Sequence, residues 1–529
     1  MNWNPVRWTA AIIMLCAVAA PVRALDLSVG GIHGDQSRTL LGDGTGVVLG
    51  YVDSGIDDLH PALTGTDSLG NPRLVAERNF VTSESGNTGD DVFGHGTWVS
   101  GIALSRDPIY TGLAPDARYV NARILTSSGA FLSEGAVRNG IGFAIGQGAE
   151  IVNLSLNFFA PASTGFTQLD LMIDWAAFER GIITTAAVGN ISASDANGDG
   201  IRGDYNQVRG PGSAFNGIAV GRTLRDYSKV SIDSAGAYTA DGRMKPDVVA
   251  PGTLLTLAND DWETPGQPQW ETNHSGILLS GTSFATGHVT GMAAQQLEAG
   301  KSRGWSTDPL VVKATMLNSA SKSVLDRDFN LWEQTSVAYP SGVYTTAHPL
   351  DTHTGAGQID GLALANQYLA GEIGPGLVHD VGWDLNSIAH GQSIDYVINP
   401  NLLLGTSLTA TLTWHRHVGR TDNGNGIIDA FDTFTQLMPL NNLDLQVLRN
   451  GVLVAQSIST VDNVEHLYIP IDLAAQYTLR VWGVNVAGGA EPFALAWQGV
   501  AVPEPATIVL ALLVTAGFCL SPRRGGRRL

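Results

Sequence analysis

Short apolar runs that alternate with segments of helical length constrain the fold of this chain most strongly. The strand-like runs cover residues 46–53, 117–125, 150–156, 182–188 and 217–220. Segments with helical length and spacing lie between them, at 132–146 and 169–179. This alternation predicts an α/β fold, a parallel sheet with helices on both faces. Functional groups gather at the carboxyl ends of such strands, where this chain places Asp53 and Asn190.

The pattern changes after about residue 372, where apolar and polar residues begin to alternate. Period-two segments, typical of half-buried antiparallel strands, lie at 408–414, 443–447, 477–481 and 493–497. The dipeptide Asn450-Gly451 is a strong hairpin signal. We therefore predict two domains, an α/β domain over residues 25–372 and a smaller β-sandwich or jelly roll over 373–500.

The two ends of the chain indicate export. Residues 1–24 have Arg7 before an apolar run and small residues at the end, as in a secretory signal peptide. An uncleaved anchor is the alternative, but the run is short for a membrane span. The two cysteines, Cys16 and Cys519, lie in the end segments, so the chain between them can form no disulfide.

Residues 501–529 contain a Pro-Glu-Pro sequence, an apolar run at 506–520 and a basic tail. The composition alone suggests a C-terminal anchor with its basic end in the cytoplasm. The order of these parts also resembles the PEP-CTERM sorting signal of Gram-negative bacteria. That resemblance implies an exosortase-type processing partner, transient anchoring by residues 506–520, and a final location in the cell envelope or extracellular matrix.

The net charge of the chain argues against one class of partner. It carries a formal charge of −19 with a pI near 4.9, and 44% of its residues are hydrophobic. An acidic chain of this composition folds into globular domains and is a poor binder of nucleic acid. The acidity also fits an ordinary exported protein, so it says nothing specific about function.

Residues 278–297 contain a candidate nucleophile. Gly281-Thr282-Ser283 precedes a helical pattern in which Val289, Met292, Ala293 and Leu297 share one face. Ser283 would lie at the helix N-terminus, where free N–H groups favour a developing negative charge. A simple helix cap explains this serine equally well when the stretch is taken alone.

Three further residues are candidates for the same chemistry. His95 lies among glycines in Gly94-His95-Gly96-Thr97 and could act as a general base near neutral pH. Asp53 could orient His95, and the Asn190 amide could donate to an oxyanion. Each residue alone has a structural explanation, such as a buried or capping histidine, but their joint occurrence favours catalysis.

The motifs around these residues resemble those of subtilisin-like serine proteases, the subtilases. The aspartate, histidine and serine motifs correspond to Asp53-Ser54-Gly55-Ile56-Asp57, Gly94-His95-Gly96-Thr97 and Gly281-Thr282-Ser283. Two further hallmarks of the family are found at 245–252 and 355–360. The order Asp, His, Ser along the chain is that of subtilases.

The resemblance, which covers about residues 40–370, implies a serine endopeptidase that works through an acyl-enzyme. In this interpretation Ser283 attacks the peptide carbonyl, His95 carries the proton and Asp53 orients His95. The side chain of Asn190 and the N–H of Ser283 would hold the oxyanion. Substrate would pair as an extended strand with two segments, Ser155-Leu156-Asn157 and Ala187-Val188-Gly189.

Several positions depart from the family pattern. Gly287 replaces a common proline, which should loosen the start of the helix slightly. Asn157 replaces a glycine that usually opens the primary specificity pocket. Ala62 replaces a calcium-binding aspartate, so that site is not expected. The short segment between the predicted signal and Asp53 leaves no room for the usual inhibitory prodomain, so self-processing of that kind is not expected.

Calcium is indicated elsewhere, as a structural ion that the chemistry itself does not require. The loop at 195–204 has oxygen-bearing side chains at alternate positions, as in the first half of an EF-hand. Its candidate ligands are Asp195, Asn197, Asp199, Ile201 and Asp204. Residues 422–429 are a poorer copy. A polar turn without an ion is the alternative in both places.

A second function remains open from the sequence. The chain could be a catalytically idle subtilase fold that serves as a surface or matrix binding protein through its β domain. The presence of all four candidate residues argues against that interpretation. The physiological substrate and the oligomeric state have no signal in the sequence.

Overall fold

The computed structural model describes residues 27–84, 86, 88–131, 133–157, 164–191, 208–225, 227–334, 337–338 and 342–501. The predicted signal peptide, the candidate calcium loop at 195–204 and residues 502–529 of the sorting segment lie outside these ranges. Within them, no helix has the length and apolarity needed to cross a bilayer.

The described chain contains eight helices and 26 strands. The helices are α1 Ser28–Gly31, α2 Gly34–Leu41, α3 His95–Leu104, α4 Glu134–Gly146, α5 Gln168–Arg180, α6 Thr282–Arg303, α7 Pro309–Asn318 and α8 Gly361–Leu369. The first thirteen strands are β1 Val48–Asp53, β2 Leu74–Asn79, β3 Arg118–Arg123, β4 Ile151–Leu154, β5 Ile183–Ala187, β6 Ile218–Thr223, β7 Ala237–Tyr238, β8 Met244–Lys245, β9 Val248–Pro251, β10 Leu257–Ala258, β11 Trp270–Glu271, β12 Asn273–His274 and β13 Ile277–Leu278. The remaining strands are β14 Val337–Ala338, β15 Tyr344–Thr346, β16 Gly376–Val378, β17 Val381–Ala389, β18 Ser393–Ile398, β19 Thr406–Trp414, β20 Val418–Thr421, β21 Thr433–Gln436, β22 Asn442–Arg449, β23 Val452–Ser457, β24 Val464–Pro470, β25 Tyr477–Asn485 and β26 Ala490–Ala501.

A seven-stranded sheet in the order β2-β3-β1-β4-β5-β6-β9 organises the first part of the chain. Every neighbouring pair in this sheet is parallel. The chain moves from β1 to one side for β2 and β3, and to the other side for β4 onward. The order therefore reverses at β1, and ligands in such sheets bind outside the carboxyl ends of the strands at that point. Asp53 is the last residue of β1.

Each face of this sheet is covered by its own hydrophobic cluster, as the alternation of strands and helices predicts. Alternate residues of β1 point to opposite faces, because Leu49 and Tyr51 belong to one cluster and Val52 to the other. Helices α3, α6 and α7 pack in the first cluster, and α4 and α5 pack in the second. The predicted α/β architecture is confirmed.

Helix α6 is more deeply buried than its sequence pattern suggested. The prediction placed one apolar face against the core, but residues on every side of the helix from Thr282 to Leu297 are buried. Small residues make this possible. A Cβ at Gly287 would lie 3.0 Å from the carbonyl oxygen of Val99 in α3, and one at Gly291 would lie 2.5 Å from Leu113. The glycine that replaces the family's proline therefore lies at a close approach between α3 and α6.

The C-terminal strands form two main sheets around a third hydrophobic cluster. Their orders are β14-β15-β23-β22-β25-β18-β16 and β17-β26-β19-β24. The Asn450-Gly451 turn joins β22 to β23 with both residues at positive φ, 50° and 81°, as a hairpin of this type requires. Strands β14 and β15 precede the predicted boundary at 372, yet they belong to the larger of these sheets.

The C-terminal sheets pack directly on the α/β part. The hydroxyl of Thr413 in β19 donates to the Leu310 carbonyl of α7 at 3.1 Å. A buried ion pair joins Arg416 to Asp174 of α5, and neither side chain is exposed. The side-chain amide of Asn216 donates to the Arg416 carbonyl at 2.9 Å. Buried polar and charged contacts therefore hold the two parts in a fixed relation.

Candidate active site

Asp53 and His95 form a short hydrogen bond at the carboxyl end of β1. The Nδ1 atom of His95 lies 2.6 Å from Oδ1 of Asp53, which also accepts the backbone N–H of Ser54 at 2.7 Å. Asp53 is 1% exposed. Because Asp53 holds Nδ1, the other ring nitrogen of His95 is the one that can exchange a proton with a substrate or nucleophile.

The local sequence places His95 at the first residue of α3. Asp91 caps this helix end, because its carboxylate accepts the backbone N–H groups of Phe93, Gly94 and Thr97. Gly96 lets the helix approach the segment after β1. A Cβ there would lie 1.9 Å from the carbonyl oxygen of Gly55. The glycine after the histidine thus permits the short bond to Asp53.

The electrostatic surroundings favour the protonated form of His95. Burial, the largest single influence, would lower the pKa of this imidazole, but the charge and hydrogen bond of Asp53 and the charge of Asp91 together outweigh burial. The pKa of His95 is therefore raised above its ordinary value. A raised pKa suits a base that must hold a proton briefly during a reaction.

Ser283 is the second residue of α6, and it exchanges hydrogen bonds with Ser155. Its Oγ donates to the Ser155 carbonyl at 2.9 Å, and the Ser155 Oγ donates to the Ser283 carbonyl at 2.9 Å. Asn153 donates to the Ser155 hydroxyl and accepts from Thr290 further along α6. The sequence analysis assigned Ser155 to substrate binding and missed this polar network beneath Ser283.

Asn190 follows β5 and contacts the start of α6. Its Oδ1 accepts the backbone N–H of Thr282 at 3.0 Å, and the residue is otherwise exposed. With Oδ1 engaged, the amide group of Asn190 presents Nδ2 as its donor. A donor adjacent to Ser283 can stabilise a negative charge that forms on an oxygen at this place.

His95, Asn190 and Ser283 share one cavity of about 430 Å³. Its remaining lining residues are Phe93, Leu125, Gly129, Ala130, Phe131, Ser155, Leu156, Asn157, Ala187 and Thr282. Four of the six predicted substrate-contact residues therefore line it, and Val188 and Gly189 do not. Val188 is fully buried in a separate small cluster, and the carbonyl of Gly189 accepts the N–H of Ala235 at 2.9 Å. The substrate contact of these two residues stays a prediction.

Asn157 lines this cavity and lies against the backbone of Gly189. A Cβ built on Gly189 would lie 1.7 Å from Nδ2 of Asn157, so the asparagine side chain covers the glycine backbone. The departure from the family's glycine therefore has a steric consequence, since the Asn157 side chain reduces the space there.

A second cavity of about 550 Å³ lies on the other flank of His95 and Ser283. Its wall includes Asp260, His274 and the exposed hairpin residues Ile277 and Leu278. Burial, together with the charges of Asp91 and Asp261, raises the pKa of Asp260 to about 7. The sequence analysis did not identify Asp260 and His274 on this flank, because they lie in or between short strands without a periodic signal.

Comparison with known proteins gives the same family as the sequence motifs. The subtilase family model, Peptidase_S8, matches residues 44–351. The chain belongs to the subtilase family. It is a serine-type endopeptidase that hydrolyses peptide bonds in proteins, as the sequence motifs predicted.

Individual relatives match about half of this subtilase. Thermitase of Thermoactinomyces vulgaris is 30% identical over 53% of this chain and 84% of its own length. Subtilisin of Bacillus pumilus is 32% identical over 52% of this chain and 86% of its own length. Subtilisin E of Bacillus subtilis (strain 168) is 32% identical over 47% of this chain. This chain spans about half the length of that relative, 55%. The solved structure of the prenylagaramide maturation protease PagA matches 64% of this chain and 97% of its own, with a TM-score of 0.45 and 24% identity.

Both calcium sites stay predictions. The loop with Asp195, Asn197, Asp199, Ile201 and Asp204 lies outside the described residues. In the second loop, the carboxylate of Asp422 accepts the N–H groups of Gly424 and Gly426 and pairs with Arg420. The amides of Asn423 and Asn425 donate to Asp429. The oxygens of this loop thus already have protein donors, and its calcium site stays a prediction.

Proposed function

We propose that this subtilase is an exported endopeptidase in which Asp53, His95 and Ser283 form the catalytic triad. The short bond between Asp53 and His95, at the wall of the cavity that contains Ser283, carries this proposal. The Ser283 hydroxyl leaves the Ser155 carbonyl and donates to the free nitrogen of His95. It then attacks the peptide carbonyl as His95 accepts its proton.

The following steps reuse the same groups. His95 gives the proton to the leaving amine, and the acyl-enzyme at Ser283 remains. A water then attacks the acyl carbon as His95 takes and returns a second proton. Asp53 stabilises the imidazolium in both halves of the reaction.

Asn190 and the backbone N–H of Ser283 would stabilise the oxyanion. The Asn190 carbonyl oxygen is engaged with Thr282, which orients the NH₂ end of the amide as a donor. The N–H of Ser283 lies in the first turn of α6, where helix N–H groups have no intrahelical acceptor. Both donors are fixed before the charge develops, so they need little reorganisation.

Several properties of the whole protein belong to this proposal. Export rests on the sequence of residues 1–24, and processing by an exosortase-type partner rests on residues 501–529. A structural calcium ion at 195–204 would contribute to stability and play no part in the chemistry. Its test is the thermal midpoint after chelation, which should fall if the ion is bound.

The proposal is tested by hydrolysis of casein with the wild-type chain and the Ser283→Ala variant. We expect activity in the wild type and a loss of several orders of magnitude in the variant. A fluorophosphonate probe should label the wild type at Ser283 only. Equal, negligible hydrolysis by both proteins, with no labelling, would instead indicate an idle fold that acts as a binding protein.

A further inference from the structure

We propose that Asp260, Glu271 and His274 form a binding site for a divalent transition-metal ion, of which Zn²⁺ fits best, beside the catalytic histidine. Each residue offers one ligand atom, and these atoms all lie within 4.8 Å of one another. The site is separate from both predicted calcium loops, and it uses a donor set of different chemistry.

The donor set selects the class of metal. Two carboxylates and one imidazole suit borderline ions such as Zn²⁺, whereas Ca²⁺ prefers oxygen ligands alone. In a tetrahedral zinc site the ligand atoms are about 3.4 Å apart. His274 Nδ1 and Glu271 Oε1 are 3.1 Å apart, so this pair already has that spacing. The ligand atom of Asp260 lies within 4.8 Å of the other two, so Asp260 is the third ligand of the site, and water can fill the fourth position.

Several carboxylates lie close together at this place in the described part of the chain. Asp260 has two other carboxylates, Asp91 and Asp261, and His274 as its electrostatic neighbours. Its Oδ1 is enclosed and makes no hydrogen bond within the described residues. A buried carboxylate oxygen without a donor is costly, and a bound cation would satisfy it.

The site has a path for entry and a connection to the catalytic centre. Asp260 and His274 line the 550 Å³ cavity that also contains His95 and Ser283. Glu271 accepts the indole N–H of Trp98 at 2.8 Å, and the Trp98 ring packs edge-on against both His274 and His95. A metal ion held here would fix the segment from β10 to β13 against α3, on one side of the cleft.

Metal binding can be measured without reference to proteolysis. The full chain with Ser283→Ala, which cannot digest itself, is freed of metal and titrated with Co²⁺ and then with competing Zn²⁺. We expect one Co²⁺ per chain with the visible absorption of a four-coordinate ion, displacement by Zn²⁺, and quenching of tryptophan emission by Co²⁺. His274→Ala should weaken Zn²⁺ binding about 100-fold or more.

Two further variants complete the test. Glu271→Gln keeps an acceptor for Trp98 and the shape of the side chain but removes the charge, so it should weaken binding while the fold is retained. His33→Ala is the matched control, because His33 also pairs with a carboxylate, Asp360, at 2.9 Å outside this cluster. Absence of binding at millimolar Zn²⁺, or equal affinity in the parent, His274→Ala and Glu271→Gln proteins, would overturn the proposal.

Discussion

Ser155 and Ser283 are joined by two hydrogen bonds that run in opposite directions, hydroxyl to carbonyl each way, at 2.9 Å. The first turn of α6 is thereby attached to the end of β4. The position of the Ser283 hydroxyl therefore depends on Ser155, which takes no part in the proposed bond-breaking steps.

Ser155→Ala tests this positioning role. The substitution removes the bond to the Ser283 carbonyl and leaves the amide of Asn153 without its acceptor, at a cost of about 1–3 kcal/mol in the free energy of unfolding. We expect kcat to fall about tenfold with KM nearly unchanged, because the nucleophile is less well held. Ser155→Thr, which keeps the hydroxyl, should recover most of kcat. Equal losses in both variants would contradict the role.

The pH dependence should follow His95. Catalysis needs the neutral imidazole, so kcat/KM should rise through a pKa above the ordinary value of about 6.5. Asp53→Asn removes the main cause of the raised pKa, and it should move this limb to lower pH while kcat falls by about 10⁴. The measurement is kcat/KM against pH for both proteins with a peptide substrate. An acid limb that stays in place in the variant would show that Asp53 does not set this pKa.

The raised pKa of His95 also affects the stability of the fold, which should fall as the pH rises, whereas kcat/KM should rise. A pKa raised in the folded state means that the protonated His95 stabilises the fold. This contribution is fully present below the unfolded value of about 6.5 and is lost as the pH rises through the folded pKa. Chemical denaturation of the Ser283→Ala protein across this range should show the decline, and Ser283→Ala with Asp53→Asn should show less of it.

Gly96→Ala should reduce kcat/KM far more than an ordinary glycine substitution does. The new Cβ would lie 1.9 Å from the Gly55 carbonyl oxygen and 3.2 Å from Cβ of Asp53. Helix α3 must then move from β1, and the 2.6 Å bond between Asp53 and His95 is lost. We expect kcat/KM to fall by about 100-fold or more.

Gly146→Ala is the matched control for that substitution. Gly146 is also helical, and its Cβ would meet no atom within 4 Å. This variant should keep full activity and gain up to about 1 kcal/mol of stability, as is usual for alanine in a helix. If Gly96→Ala and Gly146→Ala had similar activities, the close approach of α3 to Gly55 would not explain why position 96 is a glycine.

Asn157→Gly should change specificity and leave the chemistry intact. The Asn157 side chain covers Gly189 at the border of the 430 Å³ cavity, so its removal enlarges the space next to Ser283. Peptides with a large aromatic residue before the cleaved bond should gain about tenfold in kcat/KM over the wild type. Peptides with alanine there should change little. If the ratio of kcat/KM for the aromatic peptides to kcat/KM for the alanine peptides did not change, Asn157 would lie outside the specificity pocket.

Local sequence patterns predicted the parts of the fold that depend on near neighbours. The run ending at Asp53 became β1, and Asn450-Gly451 formed the hairpin, because strand alternation and turn geometry are local properties. The family motifs predicted which residues surround the cleft. They could not show that Val188 belongs to a separate cluster, because that depends on Ala219 of β6 and on Ala235, which precedes β7.

Long-range polar contacts were beyond the sequence. The bonds between Ser155 and Ser283 join residues that are far apart in the chain and have no shared periodicity. The same holds for the group of Asp260, Glu271 and His274, which follows from the folding of short strands against α3. Neither residue type nor spacing distinguishes such groups from ordinary surface residues.

The buried pair of Arg416 and Asp174 should carry much of the attachment between the C-terminal sheets and the α/β part. Both side chains are fully buried, and Arg416 also donates to the Gly165 carbonyl at 2.6 Å. Arg416→Ala leaves a buried carboxylate without its partner, which costs about 3–5 kcal/mol of stability. Arg449→Ala is the control, because Arg449 pairs with Asp472 at the surface, and its loss should hardly move the midpoint. Denaturation midpoints of the two variants in the Ser283→Ala background provide the measurement. Equal small shifts would mean that the packing of α7 against β19, and not this ion pair, holds the two parts together.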